Sequence, residues 1–239
     1  NQWQSVAYGN GAFVAVASNI NAGDERILYS TDGFNWTFRP YGVSNAWYSV
    51  VYGGGKFVAV SVTGSGTRAM YSTDGLFWTL TSTPESNQWR SVAYGNGKFV
   101  AVASDGTNQV MYSTDGVSWT SASAVENNQW RSVAYGNGKF VAVSNTGFNQ
   151  VMYSTDGISW TAAPSILSNQ WYSITFGGGY FAAVAQPGGQ PLVMYSTDGV
   201  SWTGTPAAEA NPWTSVTYGG DKFVAVSSYG TIRAMYSYT

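Results

Sequence analysis

The chain has no cysteine and no histidine among its 239 residues, and only 9% of them are charged. Without cysteine it can form neither disulfides nor zinc–thiolate sites. Without histidine it lacks the usual general base near neutral pH, which excludes Ser-His chemistry. The formal net charge of −2 argues against nucleic acid as a partner, because phosphate binding requires a basic surface. These absences favour a binding protein over an enzyme, and we expect no metal and no cofactor.

Long apolar runs are also missing. No segment reaches the roughly 18 to 20 apolar residues of a membrane-spanning helix, so we expect no membrane insertion. Because charges are sparse, the surface must consist largely of Ser, Thr, Asn, Gln and Gly. This neutral polar composition with few lysines indicates an extracellular or cell-surface location.

What the sequence does contain is a repeat. The segment Ser-Thr-Asp-Gly-x-x-Trp-Thr occurs at residues 30–37, 72–79, 113–120, 154–161 and 196–203. Successive copies start 41 or 42 residues apart, a period typical of repeat architectures. The pattern predicts one domain over residues 1–239, with repeats at 1–44, 45–86, 87–127, 128–168, 169–210 and 211–239. Repeats three and four are nearly identical, which indicates internal duplication or a consensus or ancestral design.

Each repeat has the same order of segments. It opens with Asn-x-Trp and continues with residues that alternate at the period of a strand, a Gly-rich turn and a returning strand. A variable segment, a third strand, the Ser-Thr-Asp-Gly turn and a short fourth strand follow. Four antiparallel strands in about 41 residues are typical of a propeller blade. We therefore predict an all-β, six-bladed β-propeller whose last blade lacks its fourth strand. Two alternatives stay open: a strand lent by a neighbouring domain or subunit, and a five-bladed ring with an overlap.

The Ser-Thr-Asp-Gly turn has a physical explanation. The Ser hydroxyl and the Asp carboxylate can accept hydrogen bonds from main-chain N–H groups, and Gly adopts the positive φ that such turns need. One carboxylate per turn supplies too few oxygen ligands for calcium. We therefore predict a structural role for the five turn aspartates, Asp32, Asp74, Asp115, Asp156 and Asp198.

This turn resembles the Asp-box, or bacterial neuraminidase repeat, of sialidase-type and related β-propellers. The family pattern is Ser-x-Asp-x-Gly-x-x-Trp, whereas Gly here follows Asp directly. The resemblance covers all five copies and implies that the turn joins the third and fourth strands of a blade. It implies little about activity, because Asp-box propellers include enzymes, receptors, assembly factors and lectin-like binders.

The variable segments between the second and third strands are the expected binding loops, since binding residues usually lie on loops of a rigid scaffold. A tryptophan beside side-chain amides begins each inner strand. A flat apolar ring next to amides suits a sugar, which predicts multivalent, lectin-like carbohydrate binding. The alternative is that the tryptophans only pack the blades of a structural or protein-interaction scaffold. The expected partners are glycans or glycoconjugates, or else protein, and the candidate residues are Trp3, Trp47, Trp89, Trp130, Trp171, Trp213, Asn87, Gln88, Asn128 and Gln129.

Three arginines occupy equivalent positions in their repeats, at Arg26, Arg68 and Arg233. Together they could bind an anionic sugar or a carboxylate, and the alternative is three separate solvated side chains. The resemblance to sialidases implies a three-arginine site, but such an enzyme would also need a Tyr nucleophile and a pair of acids. Glu85, Glu126 and Glu209 are acids at equivalent positions, which repeat symmetry holds apart. We therefore predict no catalytic residue and keep a sialidase-like glycosidase as a minor alternative.

Overall fold

The structure is a computed structural model that describes residues 2–18, 26–39, 45–164 and 168–238. These residues contain no helix long and apolar enough to cross a membrane. They form six antiparallel sheets, one in each predicted repeat, of which five have four strands and the last has three. The predicted all-β, six-bladed β-propeller with a three-stranded last blade is therefore confirmed. The chain divides into two compact units, Asn1–Ala122 and Ser123–Thr239, so the assignment of residues 1–239 to one domain stays a prediction.

The first unit contains three blades. Blade 1 consists of β1 (Trp3–Gly9), β2 (Ala12–Ala17), β3 (Ile27–Ser30) and β4 (Thr37–Phe38). Blade 2 consists of β5 (Trp47–Gly53), β6 (Lys56–Ser61), β7 (Ala69–Ser72) and β8 (Thr79–Thr81). Blade 3 consists of β9 (Trp89–Gly95), β10 (Lys98–Ala103), β11 (Val110–Ser113) and β12 (Thr120–Ala122).

The second unit contains the other three blades. Blade 4 consists of β13 (Trp130–Gly136), β14 (Lys139–Ser144), β15 (Val151–Ser154) and β16 (Thr161–Ala162). Blade 5 consists of β17 (Gln170–Gly177), β18 (Tyr180–Gln186), β19 (Val193–Ser196) and β20 (Thr203–Thr205). Blade 6 consists of β21 (Trp213–Gly219), β22 (Lys222–Ser227) and β23 (Ala234–Tyr238).

The first two strands of each blade are joined by a two-residue turn. In blade 3 both turn residues have positive φ, 46° at Asn96 and 72° at Gly97. Two positive φ angles define the type I′ turn, whose twist matches that of the flanking strands. Asn-Gly, Gly-Gly and Gly-Asp therefore stand at this point in all six repeats.

Every inner strand carries a β-bulge directly after its first tryptophan. In blade 3, Trp89 pairs with Ala103 and Ser91 pairs with Val102, so Arg90 has no residue opposite it. A bulge turns the extra side chain out of the regular alternation of the strand. We call the six extra residues the bulge residues: Gln4, Tyr48, Arg90, Arg131, Tyr172 and Thr214.

Successive blades within a unit pack through the same contacts. The Ser49 hydroxyl of blade 2 accepts a hydrogen bond of 3.1 Å from the main-chain N–H of Val92 in blade 3. This bond satisfies a donor on the open edge of the inner strand. Ser5, Ser132 and Ser173 accept the equivalent bonds from Val50, Ile174 and Val216. Apolar side chains fill the space between the sheets, so the core is divided into layers, each between two blades.

The Ser-Thr-Asp-Gly turns have one geometry in all five copies. In blade 3, the Ser113 hydroxyl accepts the N–H of Gly116 at 2.8 Å. The Asp115 carboxylate accepts the N–H groups of Ser118 and Val117, both at 2.8 Å. These bonds, with that from Ser118 as the largest cause, lower the pKa of Asp115 to about 2. The carboxylate is therefore ionised at neutral pH and holds the turn closed.

Candidate functional site

The variable loops lie at the end of each blade where the inner strand begins, which we call the loop end. In blade 3 the N–H of Ser104, directly after β10, donates to the main-chain oxygen of Gln88 at 3.0 Å. Blade 4 repeats this bond between Asn145 and Gln129 at 3.3 Å. The predicted candidates of each described blade therefore lie beside its second-to-third strand loop. The corresponding loop of blade 1, residues 19–25, lies outside the described residues.

The predicted asparagines hold these loops. The Asn87 side-chain amide is buried and donates to the main-chain oxygen of Asn108 at 2.7 Å. A Cβ on Gly106 would lie 2.0 Å from the Asn87 side-chain oxygen, so the loop packs directly on this amide. Asn128 makes the same bond to Asn149 at 2.8 Å. The structure thus shows both amides engaged within the protein, and their role in ligand binding stays a prediction.

The three glutamates before Asn-x-Trp bind the same loops. Glu126 accepts the N–H of Asn149 at 2.8 Å and that of Phe148 at 3.3 Å. The bond from Asn149 is the largest cause of the lowered pKa of Glu126. Glu209 accepts the N–H of Ile232 at 2.7 Å, which is likewise the main cause of its lowered pKa. A general acid needs a raised pKa, so neither carboxylate is suited to proton donation at neutral pH.

The tryptophans that begin the inner strands differ from a sugar-stacking arrangement. Trp3 is 39% exposed, but the other five are only 0–1% exposed. The indole N–H groups of Trp89, Trp130 and Trp213 donate to the main-chain oxygens of Glu85, Glu126 and Glu209 at 3.1–3.4 Å. A buried ring has no free face for a sugar, which favours the packing interpretation for these indoles. The buried rings are those of Trp47, Trp89, Trp130, Trp171 and Trp213.

The three arginines each bind main-chain oxygens. Arg26 is buried and donates to Asn45 at 2.7 Å, across to the next blade. Arg68 donates to Gly64 at 2.8 Å and to Val62 at 3.0 Å, and Arg233 donates to Gly230 at 3.0 Å. These bonds hold the variable loops of blades 2 and 6 and, for Arg26, the segment that leads into blade 2. A shared anion site formed by the three arginines stays a prediction. Within the described residues, no group of three or more Asp, Glu, His or Cys side chains could hold a metal ion.

The bulge residues form a second set of candidates that sequence reasoning missed. The Arg90 guanidinium lies 4.5 Å from the ring centroid of Tyr48 on the neighbouring blade. It also donates to the Gln88 side-chain oxygen at 2.8 Å and to the Ser104 hydroxyl at 3.0 Å. The predicted residue Gln88 therefore supports an arginine that lies over an aromatic ring.

The second unit repeats this arrangement. Arg131 lies 5.2 Å from the ring centroid of Tyr172 and donates to Gln129 at 2.8 Å. A usable sequence signal existed: Trp-x-Ser occurs in all six repeats, and x alone changes, as Gln, Tyr, Arg, Arg, Tyr and Thr. Period-two alternation conceals this position, because it assigns x to a regular place on the strand.

Two aromatic side chains project from the loops of the second unit. Phe148 is 87% exposed and Tyr229 is 74% exposed. They occupy loops held by Glu126 and Glu209, respectively. The loop end thus combines a rigid, internally bonded frame with polar and aromatic groups open to a ligand.

No protein-family model matches the chain, and no curated protein sequence matches it. Solved structures do share its fold. The structure of YCF48 bound to D1 peptide aligns with a TM-score of 0.68 at 15% identity, over 95% of this chain and 74% of that one. The computationally designed Ika8 protein aligns with a TM-score of 0.67 at 13% identity, over 98% of this chain and 71% of the designed protein. The GH74 enzyme of Niastella koreensis aligns at 0.60 and 23%, over 93% of this chain but only 35% of the enzyme. At these identities the similarity shows the fold alone.

Proposed function

We propose that the chain is a non-enzymatic binding module that recognises a polypeptide through its bulge residues and the adjacent loops. The observation that carries this proposal is the variable position x within the Trp-x-Ser segment that all six repeats share. At that position the chain places arginine and tyrosine, the residue types that with tryptophan contribute most at protein interfaces. Arg90 and Arg131 are held by Gln88 and Gln129, so binding would immobilise few additional side-chain torsions.

The chemistry of the loop end supports a non-enzymatic role. Glu126 and Glu209 have lowered pKa values and are bonded to loop N–H groups, whereas hydrolysis of glycosides requires one carboxyl group with a raised pKa. The arginines named by the sialidase analogy are bonded to main-chain oxygens. Among the structures that share this fold, one holds a bound peptide and one is an enzyme. We also propose that the five turns are a shortened form of the Asp-box and that the protein is extracellular or located at the cell surface.

A glycan is the second candidate ligand. The observation that favours it is the exposure of Phe148 in the loop of blade 4 and of Tyr229 in the loop of blade 6. An aromatic face can stack on the CH-rich face of a sugar, and the loops around it supply main-chain donors and acceptors. In this form of the hypothesis, the exposed loop aromatics replace the buried tryptophans as the stacking groups.

The test is a selection of peptides from a displayed random library against the purified chain, followed by affinity measurements on three proteins. The variant Arg90→Thr/Arg131→Thr introduces the residue that blade 6 carries at this position. We expect it to weaken the selected peptides by about tenfold or more, because each interfacial arginine contributes roughly 1–2 kcal/mol. The control Lys98→Thr/Lys139→Thr removes the same charge from the opposite end of the same blades and should change affinity less than about twofold.

A glycan array distinguishes the second candidate. Binding of glycans that is lost in Phe148→Ser/Tyr229→Ser and kept in the arginine variant would establish the glycan and overturn the polypeptide proposal. Equal affinity of the selected peptides for the parent and the arginine variant would also contradict it. Thermal unfolding of each variant checks that the fold survives.

A further inference from the structure

In blades 2 and 5, the tryptophan of the Ser-Thr-Asp-Gly turn closes the apolar layer between its blade and the preceding one. In blade 5, Trp202 is buried and its ring lies 6.5 Å from that of Phe181. In blade 2, Trp78 lies at the same 6.5 Å from Phe57. Trp78 also belongs to the buried cluster that contains Val14 and Val16 of blade 1. One indole therefore covers the phenylalanine of its own blade and contacts the valines of the blade before it.

Blade 6 has no such turn in the described chain, and its third strand β23 is the outer edge of the sheet. Phe223 and Met235 are half-buried, whereas their equivalents Phe181 and Met194 in blade 5 are fully buried. A groove of about 450 Å³ lies between blades 5 and 6, lined among others by Ala182, Val184, Tyr195, Phe223, Ala225 and Met235. It is large enough for a side-chain ligand.

The lining of this groove corresponds to the residues that surround Trp78. Val14, Val16 and Tyr29 of blade 1 are the counterparts of Ala182, Val184 and Tyr195. One difference enlarges the groove: the position of Ala182 is valine in the other five blades, at Val14, Val58, Val100, Val141 and Val224. In blades 2, 3 and 5 the glycine of the turn packs on the valine at this position in the preceding blade. Blade 5 is followed by a blade without such a turn in the described chain, and it carries the smaller alanine here.

The open edge of β23 also presents a main-chain acceptor that the fourth strand uses in other blades. In blade 4 the N–H of Ala163, just after the fourth strand, donates to the main-chain oxygen of Val151 at 3.0 Å. In blade 1 Arg39 donates to Ile27 in the same way at 2.9 Å. The equivalent acceptor in blade 6 is Ala234, the first residue of β23. A strand added at this edge would therefore meet the acceptor that fourth strands use elsewhere.

We propose that this groove is a binding site for an extended segment of a separate polypeptide. The segment adds to β23 as an antiparallel fourth strand and inserts one tryptophan between Ala182 and Tyr195 on one side and Phe223 and Met235 on the other. The groove carries no charged side chain among its lining residues, so an uncharged aromatic group suits it. In the described part of the chain, each of the five turns is followed by a strand that is paired in its own sheet, which favours a separate polypeptide over a second copy as the occupant.

This site is separate from the loop-end site of the proposed function, and neither proposal rests on the other. The probe is a fluorescent synthetic peptide with the sequence of residues 154–163, which carries the complete turn, its tryptophan and the fourth strand. Fluorescence polarisation with the full chain should show saturable binding. The same peptide with alanine in place of tryptophan should bind at least tenfold more weakly, a comparison that is independent of any protein variant.

Two matched protein variants locate the site. Ala182→Phe fills the groove and should weaken the tryptophan peptide at least tenfold. Val224→Phe introduces the same residue at the equivalent position of blade 6, which is exposed and does not line the groove, and should bind like the parent. Absence of binding by the tryptophan peptide, equal binding of both peptides, or full binding by Ala182→Phe would overturn the proposal. If the chain self-associates and Ala182→Phe abolishes this self-association, the occupant of the groove is a second copy, and the proposal of a separate polypeptide is wrong.

Discussion

Blades 5 and 6 each have the first three strands, the tight two-residue turn between the first two, and the serine hydrogen bond to the preceding blade. Of the two, only blade 5 has the Ser-Thr-Asp-Gly turn. In blade 5, Phe181 and Met194 are fully buried beneath Trp202. In blade 6, Phe223 and Met235 line an open groove instead. The difference shows that three strands suffice to build a blade of this protein. The turn and its tryptophan complete the apolar layer rather than create the sheet.

Removal of the indole from blade 5 should reproduce the state of blade 6. We expect Trp202→Ala to lower the free energy of unfolding by about 3–5 kcal/mol, because a large buried ring leaves a cavity over Phe181. Denaturant titration measures this loss. The matched change Trp36→Ala in blade 1, where the side chain is 36% exposed against 6% for Trp202, should cost only about 1–2 kcal/mol. Equal costs for the two variants would contradict the role of the buried indole.

The last residue of the inner strand gives a second contrast. A Cβ on Gly177 would lie 2.1 Å from the ring of Tyr218 in the next blade, whereas a Cβ on Gly219 would meet nothing within 4 Å. We therefore expect Gly177→Ala to lower the free energy of unfolding by about 1–3 kcal/mol through overpacking. Gly219→Ala should change it by less than about 0.5 kcal/mol. A neutral Gly177→Ala in thermal or chemical denaturation would show that blade 6 packs more loosely on blade 5 than the structure indicates.

The smallest expected effect is the loss, at low pH, of the stability that the Asp198 carboxylate gives to its turn. The bond from Ser201, with that from Val200, lowers the pKa of Asp198 to about 2, below the ordinary value near 3.9. A folded-state pKa below the unfolded value adds stability above the unfolded pKa, and this stability is lost as pH falls from about 4 to 2. We expect Asp198→Ala to cost about 1 kcal/mol at pH 7 and less than half as much at pH 2, where about half of the carboxylates are protonated. A cost that is the same at both pH values, measured by urea unfolding, would show that the carboxylate charge is irrelevant to the turn.

Much of the fold could be predicted because the same sequence pattern recurs in each repeat. The turn aspartates, the Asn-Gly and Gly-Gly turns and the missing fourth strand of the last repeat are local features of the sequence. Burial of the tryptophans was harder to predict. An indole that begins a strand beside amides has the same sequence pattern whether the ring faces solvent or the neighbouring blade. The structure separates these cases through the hydrogen bonds of Trp89 and Trp130 to glutamate main-chain oxygens.

The candidate sites were only partly predictable, for two physical reasons. A β-bulge shifts the register by one residue, so Arg90 and Arg131 lie outside the alternation that sequence reasoning follows. The groove depends on the substitution of alanine for valine at position 182 together with the missing turn of the following blade. Neither change indicates a cavity until the two blades are seen packed together.

Residue-resolved amide hydrogen exchange on the free chain, then with the peptide of residues 154–163, tests the central claim most directly. In the free chain we predict that the amide of Ala234, on the open edge of β23, exchanges at least tenfold faster than its counterpart Val193, which β20 covers. Addition of the peptide should slow exchange at Ala234 and leave Val193 unchanged. Equal protection of the two amides in the free chain, or no response of Ala234 to bound peptide, would contradict the account.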